Sequence, residues 1–201
     1  MTSLEEIQIR PLSSELLDEV IGIHQAGLVY SLNSRLGTGH LAYLYDSMRR
    51  DPDCHVGVAL ADGRPVGVVS GTLNAARLKS RLMRSMPAQR MAAIAVRMLV
   101  QPWLIVQWIR ERGGEAPLQL DGREIPAELT AIAVDASLQS RGVGRQLVDD
   151  LEQFFTKYRV ARYYLETLVE NTAARAFYGR LGFEEIARRG NSLVLLKAIG
   201  Q

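Results

Sequence analysis

The chain lacks the means to form an internal disulfide. Its 201 residues include a single cysteine, Cys54, which suits a reducing compartment. It also lacks any apolar run near the roughly 18–20 residues that a membrane-spanning helix requires. The acidic, polar N-terminus shows no signal-peptide pattern, and these absences together make a cytoplasmic location the expectation. No internal repeat and no disordered tail is evident. With 47% hydrophobic residues, the chain reads as one globular domain over residues 1–201, large enough for a substantial core. Acids are locally scarce as well. From Ala75 to Arg112 the only acid is Glu111, against Arg77, Lys79, Arg81, Arg84, Arg90, Arg97, Arg110 and Arg112. The whole chain carries only +2, so the remainder is net acidic. Nothing pairs the basic stretch with a nucleic-acid reading motif, and nucleic acid is not expected as a partner.

What the chain does have is concentrated in Glu128 to Gly144, E-L-T-A-I-A-V-D-A-S-L-Q-S-R-G-V-G. A strand pattern, Glu128 to Val134, runs through a turn into a glycine-bearing loop that opens a long amphipathic helix, Gly142 to Tyr158. Such a loop aims several backbone N–H groups at one point beside the positive end of a helix dipole, which is a site for a phosphate or pyrophosphate. Gly142 and Gly144 are expected to take unusual dihedrals and to let a ligand approach the backbone. A dinucleotide fingerprint would need a third glycine after Gly142-Val143-Gly144, and a Walker loop would need Lys-Ser or Lys-Thr. Both are absent. The pattern present is Q/R-x-x-G-x-G/A, carried by Gln139, Gly142 and Gly144, with Arg141 before the first glycine.

A second segment begins at Tyr163, Y-Y-L-E-T-L-V-E-N-T-A-A-R-A-F-Y-G-R-L-G-F. Tyr163 to Val169 reads as a buried strand. Asn171 stands at a helix start, Thr172 to Leu181 has helical spacing, and Gly182 stops it before another strand at Phe183. With Tyr178 seven residues after Asn171, the two segments together resemble the coenzyme A segments of the GNAT superfamily of N-acetyltransferases, closely over Ala127 to Ala187. The resemblance implies an α/β (α+β) fold with a mixed, mainly antiparallel central sheet flanked by helices, in which the strands Glu128–Val134 and Tyr163–Val169 splay apart. It implies acetyl-coenzyme A as co-substrate and no metal.

The remaining elements fit that order. Ile7 to Leu12 is expected as a strand and Ser13 or Ser14 as the cap of a helix bearing Leu16, Leu17, Val20, Ile21 and His24. A polar link, Gly27 to Gly39, leads to a helix over His40 to Arg50. Asp62-Gly63 joins strands His55–Ala61 and Arg64–Thr72; a smaller hairpin is expected at Asp121-Gly122 and a last one around Gly190-Asn191. His55 beside Cys54 has no catalytic context and is read as a strand edge. Residues 74–117 form a basic helical insert. Leu78, Leu82, Met86, Met91, Ile94 and Met98 recur at helical spacing, and Pro102 interrupts a segment with Trp103, Val106, Trp108 and Ile109. A lid that roofs the acceptor cleft is the preferred reading, with a homodimer surface and a peripheral contact with an anionic membrane as alternatives.

By the resemblance, backbone groups of Arg141, Gly142, Val143, Gly144 and Arg145 hold the pyrophosphate and Gln139 braces the loop. The edge Ile132, Ala133 and Val134 pairs with the pantetheine arm, one N–H facing the thioester oxygen, and Asn171 hydrogen-bonds along that arm or only caps its helix. Tyr178 resembles the family's general acid, a phenol that protonates the leaving thiolate. Glu128, on the face it shares with Thr130, Ile132 and Val134, is similar to a catalytic glutamate and is the candidate base, with His40, Tyr30 or an ordered water as rivals. His24 is read as packed. The preferred acceptor is a small-molecule primary amine, such as an amino sugar. The alternatives are a protein or peptide amine, or a non-catalytic module that senses acyl-coenzyme A.

Overall fold

A computed structural model of the chain describes residues 7–105 and 118–200. The chain divides into two compact units, one of residues 1–71 and 131–154 and the other of residues 72–130 and 155–201. Two elements run through both, β6 (Glu128–Val134) and α6 (Val143–Lys157). The fold is the expected mixed α/β arrangement, a mainly antiparallel sheet with flanking helices.

In the first unit β1 (Gln8–Pro11), β2 (Cys54–Ala61) and β3 (Arg64–Thr72) lie side by side, and β3 neighbours β6. β1 and β2 are antiparallel, with Gln8 opposite Leu60 and Pro11 opposite Gly57. Asp62 and Gly63 both take positive φ, 48° and 77°, which gives the β2–β3 turn the twist that a two-residue hairpin needs. Val56, Val58, Val68 and Val69 are buried, as are Val20 and Ile21 of α1 (Leu17–Gly27), Leu41, Tyr45 and Met48 of α3 (Thr38–Arg50), and Leu147, Val148 and Leu151 of α6; α3 packs on β2. The first helix departs from expectation. A 3-10 turn over Ser14–Leu16 precedes it, and the Ser13 side chain makes no capping bond. The polar link holds a four-residue helix, α2 (Leu32–Arg35), capped by Ser31 through Ser34 N–H.

His24 is almost fully buried, as read. Its Nδ1 lies 2.7 Å from the Tyr45 hydroxyl, and Tyr45 also bonds Ser70, so one buried chain of polar groups joins α1, α3 and β3. Burial, with help from the neighbouring His40, lowers the His24 pKa to about 4; the ring is neutral at physiological pH and acts as a strut.

In the second unit β6 neighbours β7 (Arg162–Leu168), then come β9 (Ser192–Ala198) and β8 (Glu184–Arg189). β9 is antiparallel to both of its neighbours, whereas β6 and β7 are parallel with the single register pair Glu128↔Tyr164. Alternation sends β7 side chains to two layers. Tyr163 meets Phe155 and Phe183 on one face, the latter edge-on at 5.3 Å. Tyr164 joins a cluster with Leu118, Ile125, Val194 and Leu196 on the other. That second layer is completed by the small hairpin β4 (Gln119–Leu120) and β5 (Arg123–Glu124), turned by Asp121-Gly122, and by Ala75. Ala75 opens α4 (Ala75–Ser85), which α5 (Ala88–Val100) follows. The end of the basic insert, with Val106, Trp108 and Ile109, lies outside the described residues.

Candidate functional site

The loop expected to hold phosphates has a built geometry in the first unit. β6 ends at Val134, and Asp135 N–H is tied to Val66 carbonyl oxygen at 2.8 Å. The Asp135 carboxylate then accepts from Ser137 N–H at 2.8 Å and from the Ser137 hydroxyl at 2.6 Å, capping a 3-10 turn over Ala136–Leu138. Those two bonds hold the Asp135 pKa below its usual value. Gln139 reaches back to donate to Val134 carbonyl oxygen at 3.3 Å. Ser140 and Gly142 follow with φ of 65° and 85°, and α6 begins one residue later. Val143 is buried and anchors the helix start in the core, while Arg141 and Arg145 are exposed. The first N–H groups of α6, those of Val143, Gly144 and Arg145, have no partner within the helix and stand at the positive end of its fifteen residues. One expectation needs correction. Only Gly142 takes a left-handed backbone; Gly144 lies in the first turn of α6 and has no positive φ. Ala133 is buried, and Ile132 and Val134 are half-buried on β6.

The second unit assembles a carboxylate pair that sequence reading caught only in half. The pair Glu128↔Tyr164 places these residues side by side, and Glu166, two positions on, shares the face. Tyr164 hydroxyl donates to Glu128 Oε2 at 3.4 Å. Arg189 Nη1 bonds Glu166 Oε1 at 3.1 Å from β8, and Lys79 of α4 is close enough to act on both carboxylates. Burial first, then repulsion from Glu166, raises the Glu128 pKa from its ordinary value to about 7. Burial also raises Glu166, opposed by Arg189 and Lys79. The two carboxylates repel, so ionisation of Glu166 disfavours ionisation of Glu128. Tyr164 is pushed up by burial and by Glu128 and stays a proton donor. The signal that could have found Glu166 is its presence in Y-Y-L-E-T-L, a strand that otherwise reads as buried; a charge there needs a reason.

Tyr178 and Asn171 come from α7 (Thr172–Arg180). Asn171 Oδ1 accepts from Ala174 N–H at 3.1 Å, so it caps the helix in this structure. Tyr178 is buried in the aromatic layer with Phe177 and Phe183 at 5.2 and 5.3 Å. Burial raises its pKa. It belongs to the layer of β7 opposite to Glu166, so the structure does not bring the candidate acid and the candidate base onto one face.

The rival bases are placed elsewhere. His40 Nε2 lies 3.1 Å from Asn33 Oδ1 in the first unit, and Tyr30 is 68% exposed. His55 is the second residue of β2, past the end of the β1 register at Pro11↔Gly57. It stacks on Phe154 at 5.2 Å and sits 2.6 Å from Asp150 of α6. Among the described residues, no cluster of three or more His, Cys, Asp or Glu could hold a metal ion.

Comparison with known proteins bears on both halves. A family model described as "Acetyltransferase (GNAT) family" matches residues 28–183. The [Ribosomal protein bS18]-alanine N-acetyltransferase of Escherichia coli K12 is 43% identical over 65 residues, which are 32% of this chain and 44% of that protein. The N-alpha-acetyltransferase RimI of Mycobacterium tuberculosis is 37% identical over 78 residues, 38% of this chain and 48% of that protein. The chain thus spans somewhat under half the length of these curated relatives. Among solved structures, the PaiA N-acetyltransferase of Thermoplasma acidophilum in complex with coenzyme A superposes with a TM-score of 0.65 at 16% identity, covering 96% of this chain and 99% of that one. At that identity the likeness concerns the fold.

Proposed function

The chain belongs to the acetyltransferase (GNAT) family, and on that premise we propose that it transfers an acetyl group from acetyl-coenzyme A to the amine of a protein or peptide. The observation that carries the chemistry is the Glu128 carboxyl, raised by burial and by Glu166 to a pKa of about 7, the value a base needs to accept the proton of an ammonium and still be ionised at working pH. The coenzyme's pyrophosphate meets the N–H groups of Val143, Gly144 and Arg145, and the pantetheine arm runs along the edge of Ile132, Ala133 and Val134. Glu128 and Glu166 together take the proton from the acceptor amine, directly or through a water. The freed nitrogen attacks the thioester carbon, the C–S bond breaks, and Tyr178 protonates the departing thiolate.

The choice of acceptor class rests on the relatives. Sequence reading preferred a small amine, but the named activities of the two partial relatives are directed at a ribosomal protein's alanine and at N-alpha amines. One observation favours the small acceptor instead: Ala75 and Leu120 pack on the cluster that holds Tyr164, the residue paired with Glu128. A competition assay separates the two. With acetyl-coenzyme A and equal concentrations of alanine-starting peptides, polyamines and amino sugars, mass spectrometry should find the peptide α-amine acetylated at least about tenfold faster, about 1.4 kcal/mol in the transition state. A polyamine or amino sugar consumed first would return the acceptor to the small-molecule class.

The loop assignment has its own test. At Gly142 a new Cβ would meet no atom within 4 Å, so Gly142→Val does not fail by collision. It fails because φ of 85° is a backbone that a β-branched residue scarcely adopts. The loop should re-form with its donors misdirected, and calorimetry should show coenzyme A bound at least about tenfold more weakly. Unchanged affinity would remove this loop from the site. Arg141→Ala should do less, since an exposed cation near a phosphate is screened by salt.

A further inference from the structure

Between Ala75 and Ile105 the chain has six Lys or Arg and no acid. α4 and α5 carry this stretch, and they treat their apolar residues differently. Leu78 of α4 is buried, and Leu82, Met86, Ile94 and Met98 are half-buried, so most of the stripe read from the sequence does face the protein; Met91, at 49% exposed, does not. α5 also has a second apolar face. Ala92, Val96 and Leu99 follow one another at helical spacing with Ala93 and Val100 beside them, and no residue of α5 is buried. Val96 is 58%, Leu99 78% and Val100 74% exposed. Trp103 and Ile105, just past the end of α5, are exposed as well. Scattered exposed apolar residues need no explanation, whereas a continuous face of them on one helix marks an interaction surface.

We propose that this face docks the protein on an anionic lipid surface, with α5 lying in the plane of the headgroups. Charge complementarity singles out this occupant. A second copy of the chain would bring a stretch of six cations and no acids against its own like, which costs electrostatic energy before any apolar area is buried. A nucleic acid would satisfy the cations but offers nothing to Leu99 or Val100. An anionic bilayer answers both features, taking the aliphatic side chains below the headgroup level and the arginines among the phosphates. Trp103 has the amphipathic ring that settles at that boundary. Among the described residues no helix is long and apolar enough to cross a membrane, so the contact is peripheral.

Co-sedimentation of the full chain with vesicles of equal parts phosphatidylglycerol and phosphatidylcholine tests this, with pure phosphatidylcholine as control. Binding is expected to the anionic vesicles only and to weaken with added salt. The double variant Leu99→Asp/Val100→Asp, whose positions are too exposed to disturb the fold, should lower the partition coefficient at least about tenfold. Arg81→Glu/Arg84→Glu should weaken binding while leaving the apolar face intact. Equal binding of wild type and Leu99→Asp/Val100→Asp would overturn the proposal, as would no binding to either vesicle. So would a wild-type dimer in light scattering that the same double variant converts to monomer, since that would assign the face to a second copy.

Discussion

Replacing Glu128 and Glu166 together by glutamine is expected to lower kcat/KM for the acceptor by about 10²–10⁴-fold, the range in which a positioned general base contributes. The fold should survive the change. A carboxylate whose pKa is raised in the folded state binds its proton more tightly there than in the unfolded chain. Its favourable contribution is therefore present below the unfolded value of 4.5 and is lost as pH rises through about 7. Above neutrality ionised Glu128 works against folding, and glutamine removes that penalty while keeping the shape. Coenzyme A affinity should be unchanged, because the expected phosphate grip is made of backbone donors at residues 141–145. The single variants should lose less than the double, since either carboxylate can take over part of the proton transfer when the other is removed. Coenzyme affinity that falls in parallel with rate would instead make the pair part of the cofactor site.

Tyr178→Phe is expected to lower kcat by about 10²–10³-fold, with little effect on melting temperature. The substitution keeps the ring that meets Phe177 and Phe183 and deletes only the hydroxyl, so packing loss cannot explain a large effect. Burial raises the pKa of that hydroxyl, which leaves it protonated and able to donate throughout the working range. If the thiolate leaves without help, kcat will stay near the wild-type value and Tyr178 is a core residue of the aromatic layer. Adding thioesters with more acidic thiols provides an internal check, because their departure depends less on a proton donor.

The order of elements was legible because each is punctuated locally. Asp62-Gly63 and Asp121-Gly122 turn hairpins with the positive φ that Asp and Gly tolerate, and Asn171 caps the helix it was expected to start. Glu128, Gln139, Gly142 and Tyr178 were singled out as candidates because they stand in sequence patterns that carry their own spacing. Glu166, Tyr164 and Arg189 stand in no such pattern. Glu166 meets Glu128 only through the parallel register of β6 and β7, a pairing of residues 38 apart that no local period encodes. Arg189 reaches Glu166 only once β8 and β9 have folded back on β7. The insert shows the same limit in another form. Helical spacing identified the stripe from Leu78 to Met98, but spacing cannot say which of two apolar faces of α5 the protein covers.

The pH dependence of kcat/KM for a peptide acceptor tests the central claim most directly. The wild type should show a rising limb with a midpoint near pH 7, set by Glu128, and the double glutamine variant should lose that limb along with most of its rate. A wild-type profile that instead follows the acceptor's own α-amine, with a midpoint about 8, and keeps the same shape and height in the double variant would contradict the account, because the amine would then lose its proton to solvent and not to this pair.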